Sequence, residues 1–333
     1  MRRGAIIRMI GIGIVVGILV TLVAVLIPWL PTSASREMDR IELVYWFATV
    51  MCIVIFALVM AVLIYSVLTF RARPDDESDG PPIHGNSTLE IAWTVVPAIL
   101  VLAIGVVSAV VLSQNSSAGP NPLNVKVFAQ QFAWRFVYPD DGGVKSGVLV
   151  LPLGRSARFQ LQSVDVIHSF WIPDMGQKQD AVPGIDTSIV VTPTRIGVFS
   201  LVCAELCGIG HSTMRAQVRV VSQEDFAAWL KERKGGGGEA EPGAAIFASA
   251  GCSGCHAFTP AGSNGAIGPR LDDIAVAAGK VGKDPAEYVR EAIVDPAKVI
   301  APGFQNGVMP STFGKTLSAA EIDALAAYLT GSK

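Results

Sequence analysis

The chain opens with three long apolar runs and continues as a mixed sequence. The runs cover about residues 9–30, 41–70 and 91–112. Each exceeds the ~18 apolar residues that cross a bilayer as a helix. Arg2, Arg3 and Arg8 precede the first run, and Arg71 and Arg73 follow the second. Basic residues stay on the cytoplasmic side, so this pattern puts the N-terminus and the loop 71–89 inside and everything after Ser113 outside. The first run reads two ways. Its basic start and the small residues near Thr32 to Ser35 resemble a cleaved signal peptide. Its apolar stretch exceeds the usual ~7–15 residues of such a signal and equally suits a retained helix. The second and third runs are sufficient as an anchoring hairpin.

Beyond residue 120 the period changes. Short segments at 124–127, 132–138, 148–151, 158–162, 187–192, 197–202 and 214–221 are rich in β-branched and aromatic residues, with Gly, Pro and Asp between them. That spacing predicts a β-sandwich. Ser222 and Asp225 form a capping pair for a short helix ending near Lys234. Gly235 to Gly238 and the polar run to Pro242 read as a flexible linker. The remainder is helix-rich, and Ser318 with Glu321 opens a last helix that ends near Thr330. The expected domains are therefore 1–35 (signal or extra helix), 36–118 (transmembrane helical hairpin), 119–222 (β domain), 223–242 (short helix and linker) and 243–333 (helical domain).

Composition agrees with this division. Of 333 residues, 51% are hydrophobic and 16% charged, too apolar for an ordinary soluble protein and too polar for a chain lying wholly in lipid. The net charge of −2 leaves no electrostatic footprint for nucleic acid. The acidic residues Asp75, Asp76, Glu77 and Asp79 read as a solvated loop, His84 has no ligand-like neighbour, and Cys52 reads as an ordinary residue of an apolar face.

The chemistry sits in the remaining four cysteines and three histidines. Cys203, Cys207, His211 and Met214 fall within twelve residues, and His168 lies upstream in Asp165-Val-Ile-His168. Thiolates and a thioether favour Cu(I), while imidazole accepts both oxidation states. A single-copper site needs one Cys; a second lets both sulfurs bridge two coppers that share an electron. The alternative is a structural Cys2His2 zinc site, against which Met214 argues because zinc is held by N, O and thiolate donors. Further on, Cys252-Ser-Gly-Cys255-His256 is the pattern for covalent haem attachment. A redox Cys-x-x-Cys is the weaker reading, since no βαβ unit surrounds it. Met309 is the one Met after the motif and the expected sixth iron ligand, a pairing that raises the haem potential. Glu90 stands at the inner end of the third apolar run, where an ionisable group is either functional or simply snorkelling.

Cys-x-Glu-x-Cys-x3-His-x2-Met, with the upstream run 165–184 and the helical hairpin, resembles subunit II of haem–copper cytochrome c oxidases over about residues 40–222. The resemblance implies a cupredoxin-like domain holding binuclear copper (CuA) on His168, Cys203, Cys207, His211, Met214 and the carbonyl of Glu205. It also implies a magnesium ion shared by the Glu205 side chain at the contact with subunit I. In that family a Glu three residues before a Trp such as Trp93 lies at the mouth of a proton-uptake channel, which would be Glu90. One departure stands out: Phe132 occupies the position of the family's first aromatic, a Trp that receives the incoming electron, while Trp134 matches the second. The C-terminal segment resembles a class I cytochrome c, with Gly243, Phe247 and Tyr328 as helix contacts and Pro269 orienting the haem His. The implied function is transfer of electrons from haem c to copper and on to subunit I for oxygen reduction with proton pumping. The implied partners are subunit I, other oxidase subunits, the membrane, and a donor such as a reductase complex or cytochrome c. The implied location is a bacterial inner membrane with both metal domains outside. The alternatives are the copper subunit of a nitric oxide reductase and a membrane-tethered copper carrier.

Overall fold

A computed structural model describes residues 3–71, 82, 84–235 and 243–331. The acidic stretch with Asp75 to Asp79, and the linker residues 236–242, lie outside the described residues.

The three apolar runs form α1 (Arg3–Leu26), α2 (Arg36–Thr69) and α3 (Ser87–Asn115), each long and apolar enough to span a bilayer. Most of their large apolar side chains are exposed, as befits helices solvated by lipid. Where α1 meets α2 the contact is built from small residues. A Cβ at Gly13 would lie 3.4 Å from Ala61 Cβ, and one at Gly17 would lie 3.7 Å from Ala57 Cβ. Small residues four apart let membrane helices approach closely. The α2–α3 hairpin is tied at one end by Arg40, whose Nη1 donates to Asn115 Oδ1 at 3.1 Å.

Residues 33–38 belong with the β unit. There the Ala34 N–H donates to the Asp174 carbonyl, and the buried Glu37 Oε2 accepts the Thr192 N–H at 2.7 Å. The β unit itself has two five-stranded sheets. One orders as β3-β2-β1-β5-β8 from β1 (Leu123–Gln130), β2 (Ala133–Tyr138), β3 (Val144–Ser146), β5 (Ala157–Ser163) and β8 (Thr187–Val191). The other orders as β4-β10-β9-β6-β7 from β4 (Leu149–Pro152), β6 (His168–Trp171), β7 (Lys178–Ala181), β9 (Gly197–Cys203) and β10 (Arg215–Val221). Alternate residues of β1 and β5 (Val125, Val127, Phe159, Leu161) are buried in one core with Phe170, Leu201 and Val218 of the second sheet. This is the period-2 burial of a sandwich. Tyr138 closes it: its hydroxyl donates to the Val150 carbonyl and accepts the Val150 N–H, and burial raises its pKa, so it stays neutral. The helix after β10, α4 (Gln223–Gly235), starts at the expected Ser222, whose Oγ accepts the Asp225 N–H at 3.0 Å.

The C-terminal segment is helical: α5 (Gly243–Ser249), α6 (Cys252–Cys255), α7 (Ile274–Lys280), α8 (Pro285–Val294), α9 (Phe313–Thr316) and α10 (Ala319–Thr330). One short two-stranded sheet, β11 (His256–Phe258) with β12 (Ser263–Ala266), adds to the helices that periodicity predicts. Gly243 sits where α5 crosses α10; a Cβ there would lie 2.3 Å from the Ala324 carbonyl oxygen. Beside it Phe247 packs edge-on to Tyr328, as expected from the resemblance. The Ser318–Glu321 capping box forms with both reciprocal bonds.

Candidate functional site

Strand pairing brings the distant histidine to the cysteine loop. β6 lies beside β9 with Phe170 opposite Cys203, so His168, two residues before Phe170, reaches the loop that leaves β9. That loop returns through Met214 into β10, and the Cys203 N–H closes its neck on the Met214 carbonyl at 3.1 Å. Gly208 has φ +127°, a conformation that favours glycine. At Gly210 a Cβ would lie 2.5 Å from the Phe132 ring, so the loop can lie flat on that ring only without a side chain there.

The donor atoms converge. Cys203 Sγ and Cys207 Sγ are 3.8 Å apart. His168 Nδ1 is 3.9 Å from Cys203 Sγ, and His211 Nδ1 is 3.6 Å from Cys207 Sγ. Met214 Sδ is 3.8 Å from Cys207 Sγ, and the Glu205 carbonyl oxygen is 3.2 Å from Cys203 Sγ. His168 and Met214 are fully buried, and His211 is half-buried. The sulfurs are too far apart for a disulfide, whose S–S distance is ~2.05 Å. They are close enough for both to reach a shared ion at the ~2.3 Å typical of metal–thiolate bonds. This donor set fits copper: two thiolates, two imidazole nitrogens, a thioether and a carbonyl. The contact between the sulfurs splits their acidity, with the S–H of Cys207 stabilising a thiolate at Cys203 and lowering its pKa.

Asp165 supports the group from behind. Its Oδ1 is 2.8 Å from His168 Nε2, which commits that nitrogen to Asp165 and leaves Nδ1 facing Cys203. Burial pushes the Asp165 pKa up, but the bond with His168 and the backbone N–H groups of Gln131 and Val166 outweigh it and hold the carboxylate ionised. Metal-bound histidines almost always give their second nitrogen to a carboxylate, a backbone carbonyl or water. Its signal in the sequence, an Asp three residues before a candidate ligand, points to no role without the fold. Glu205 is exposed, so only its carbonyl turns into the group.

A second site lies in the helical domain. Cys252, Cys255, His256, Pro269, Leu271, Ile274, Met309 and Phe313 line one apolar cavity. His256 Nδ1 is 2.8 Å from the Pro269 carbonyl, which leaves Nε2 free. Burial lowers the His256 pKa and keeps the ring neutral, as an iron ligand requires. The two thiols are unpaired, and burial raises the pKa of Cys255 and pushes Cys252 up to about 12. Reactive redox cysteines have lowered pKa values, so this pair does not suit dithiol redox chemistry. A Cβ at Gly268 would fall 2.5 Å from His256 Cε1, so glycine there makes room for the imidazole. These residues, with Met309 lining the same cavity, fit a covalently attached haem.

The two sites share a border. Gln131 and Phe132 of the β domain line the same cavity as the Cys-x-x-Cys-His residues. Gly251 abuts Phe132 and Ala133, and Gly254 abuts Thr213 of the cysteine loop. Arg135 Nη1 donates to the Thr316 carbonyl at 2.7 Å. Phe132 is buried against the cysteine loop, and Trp134 packs on His168 at 6.2 Å between ring centroids.

Glu90 belongs to the helical unit, exposed in the first turn of α3. Its Oε1 accepts the Asn86 N–H at 3.1 Å while Asn86 Oδ1 accepts the Leu89 N–H, so it also serves as a helix cap.

Fold and site together define a membrane-anchored copper-binding β domain joined to a c-type cytochrome. Comparison with known proteins agrees. Residues 24–111 match the family described as cytochrome c oxidase subunit II, transmembrane domain; residues 143–221 match its periplasmic domain, and residues 240–333 match cytochrome c. Cytochrome c oxidase subunit 2 of Alkalihalophilus pseudofirmus is 32% identical over 295 residues, covering 84% of this chain and 82% of that protein. The subunit 2 of Bacillus sp. PS3 is 34% identical, covering 79% of this chain and 80% of the relative. The periplasmic domain of subunit II of the Bradyrhizobium japonicum oxidase is 30% identical over 37% of this chain and 98% of that structure, with a TM-score of 0.34. The chain belongs to the cytochrome c oxidase subunit II family and carries a C-terminal cytochrome c domain.

Proposed function

We propose that this subunit passes electrons from its own haem domain to its copper-binding loop and on to a separate catalytic subunit, where oxygen is reduced to water and protons are moved. The observation that carries the reading is the convergence of five copper-type donors of the cysteine loop with His168 of β6, the haem-attachment motif being packed against the same corner. When bound, the copper pair and haem c would each supply a one-electron redox centre. The rest is the work of the chain. Cys203, Cys207, His168, His211, Met214 and the Glu205 carbonyl hold the copper; Asp165 fixes the tautomer of His168. Cys252 and Cys255 would attach the haem, and His256, oriented by the Pro269 carbonyl, and Met309 would ligate its iron. The tether 223–242 keeps donor near acceptor at an effective concentration on the order of millimolar, without diffusional search. The exposed carboxylate of Glu205 offers a magnesium ligand at the contact with subunit I, and Glu90 offers a proton-collecting group on the inner side. The setting is a bacterial inner membrane with both metal domains outside, and the donor is a reductase complex or a soluble cytochrome c. A copper carrier would have no use for a complete haem ligand set, and the named relatives are cytochrome c oxidase subunits.

Metal analysis of the purified complex should assign two coppers and one iron to this chain beyond the metals of the other subunits. Rapid mixing with a reduced donor should then show haem c reduced first, with copper following at a rate independent of protein concentration. Zinc in place of copper, or copper reduction that precedes the haem, would overturn the proposal.

A further inference from the structure

Gln131 touches both sites. The residue lines the haem cavity, and its Nε2 donates to the Cys207 carbonyl at 2.6 Å. Its backbone N–H donates to Asp165 Oδ2 at 2.7 Å, and the other oxygen of that carboxylate holds His168. One residue thus bonds directly to the residue that carries one thiolate and, through Asp165, to an imidazole on the other side of the group. Room for the amide comes from Gly208, where a Cβ would fall 2.8 Å from Gln131 Nε2. Phe132, next in the chain, meets the same loop differently: its ring lies against Gly208 and Gly210 through van der Waals contact alone. Tunnelling electrons couple better along bonds and short hydrogen bonds than across a van der Waals gap. The aromatic at 132 is therefore the poorer bridge, and the amide beside it the better one.

We infer that Gln131 is a positioning residue for electron transfer, joining the wall of the haem cavity to Cys207 by its side-chain hydrogen bond. This rests on the proposed function and adds a route to it. The step moves one electron from the haem side to the copper side; no bond is made or broken and no proton is needed. Gln131 is no metal ligand, so its effect should fall on the coupling between centres and leave the centres themselves alone.

The test uses the full oxidase complex carrying Gln131→Leu, which keeps bulk and removes the donor, beside Phe132→Leu. The rate of haem-to-copper transfer is read by flash or stopped-flow spectroscopy, and the near-infrared copper band and both midpoint potentials are read on the same samples. The expected result for Gln131→Leu is slower haem-to-copper transfer, because a hydrogen-bonded step of the path becomes a van der Waals gap. Both potentials and the copper band should stay in place, and Phe132→Leu should slow transfer less. An unchanged rate in Gln131→Leu, or a larger effect of Phe132→Leu, overturns the inference. If Leu shifts the copper band, Gln131→Met offers an unbranched replacement. A band shifted in both variants would make Gln131 a prop of the ligand loop and likewise overturn it. Failure of haem to reduce copper in the unmodified complex would instead overturn the function proposed above, so the two failures are distinct.

Discussion

Asp165 offers the sharpest quantitative test of the copper loop. Its carboxylate lies 2.8 Å from His168 Nε2, and the His168 side chain is fully buried. Asp165→Ala would leave an imidazole N–H buried with no partner and free the ring to turn. A hydrogen bond to a charged group contributes about 1.5–3 kcal/mol, so the loss corresponds to roughly 10- to 150-fold in copper affinity. That range overlaps the ~10–100-fold cost of removing outer-shell partners of metal ligands. Asp165→Asn keeps an acceptor oxygen but not the charge, and should cost roughly 4- to 12-fold, since charge roughly doubles such a bond. The same carboxylate receives the Gln131 and Val166 N–H groups, so part of the Ala effect will come from a looser loop. Competition against a chelator of known copper affinity, run on the complex, measures both variants on one scale. Equal copper affinity in Asp165→Ala and the unmodified protein would refute the reasoning, because His168 would then need no orienting partner.

Two further expectations follow from single residues. Met309→Ala should remove the sixth iron ligand and lower the haem potential; redox titration of the haem band checks it, and an unchanged potential would dismiss Met309 as a ligand. Glu90→Gln should slow steady-state oxygen consumption in the assembled oxidase while leaving haem-to-copper transfer intact; equal turnover would return Glu90 to the capping role it makes with Asn86.

Much of this protein was legible from local chemistry. Three apolar runs declare membrane helices because length and hydropathy are one-dimensional properties, and all three appear as helices. The haem motif and the cysteine loop are equally local, since their ligands, His168 and Met309 apart, sit within a few residues of one another. The Ser318–Glu321 box and the Gly243 crossing are read the same way, from a cap and a missing side chain. Three short strands were not legible: β3, β6 and β7 are too short to show a period, and β6 buries three of its four residues, so nothing alternates. What only tertiary structure decided lies across long separations. Strand order puts His168 beside Cys203, thirty-five residues on, and turns Asp165 behind it. Packing sets the haem cavity against Gln131 and Phe132, more than a hundred residues earlier in the chain. A helix or a ligand loop depends on neighbours in sequence, whereas a bridge between two sites depends on which surfaces bury each other, and no local pattern encodes that.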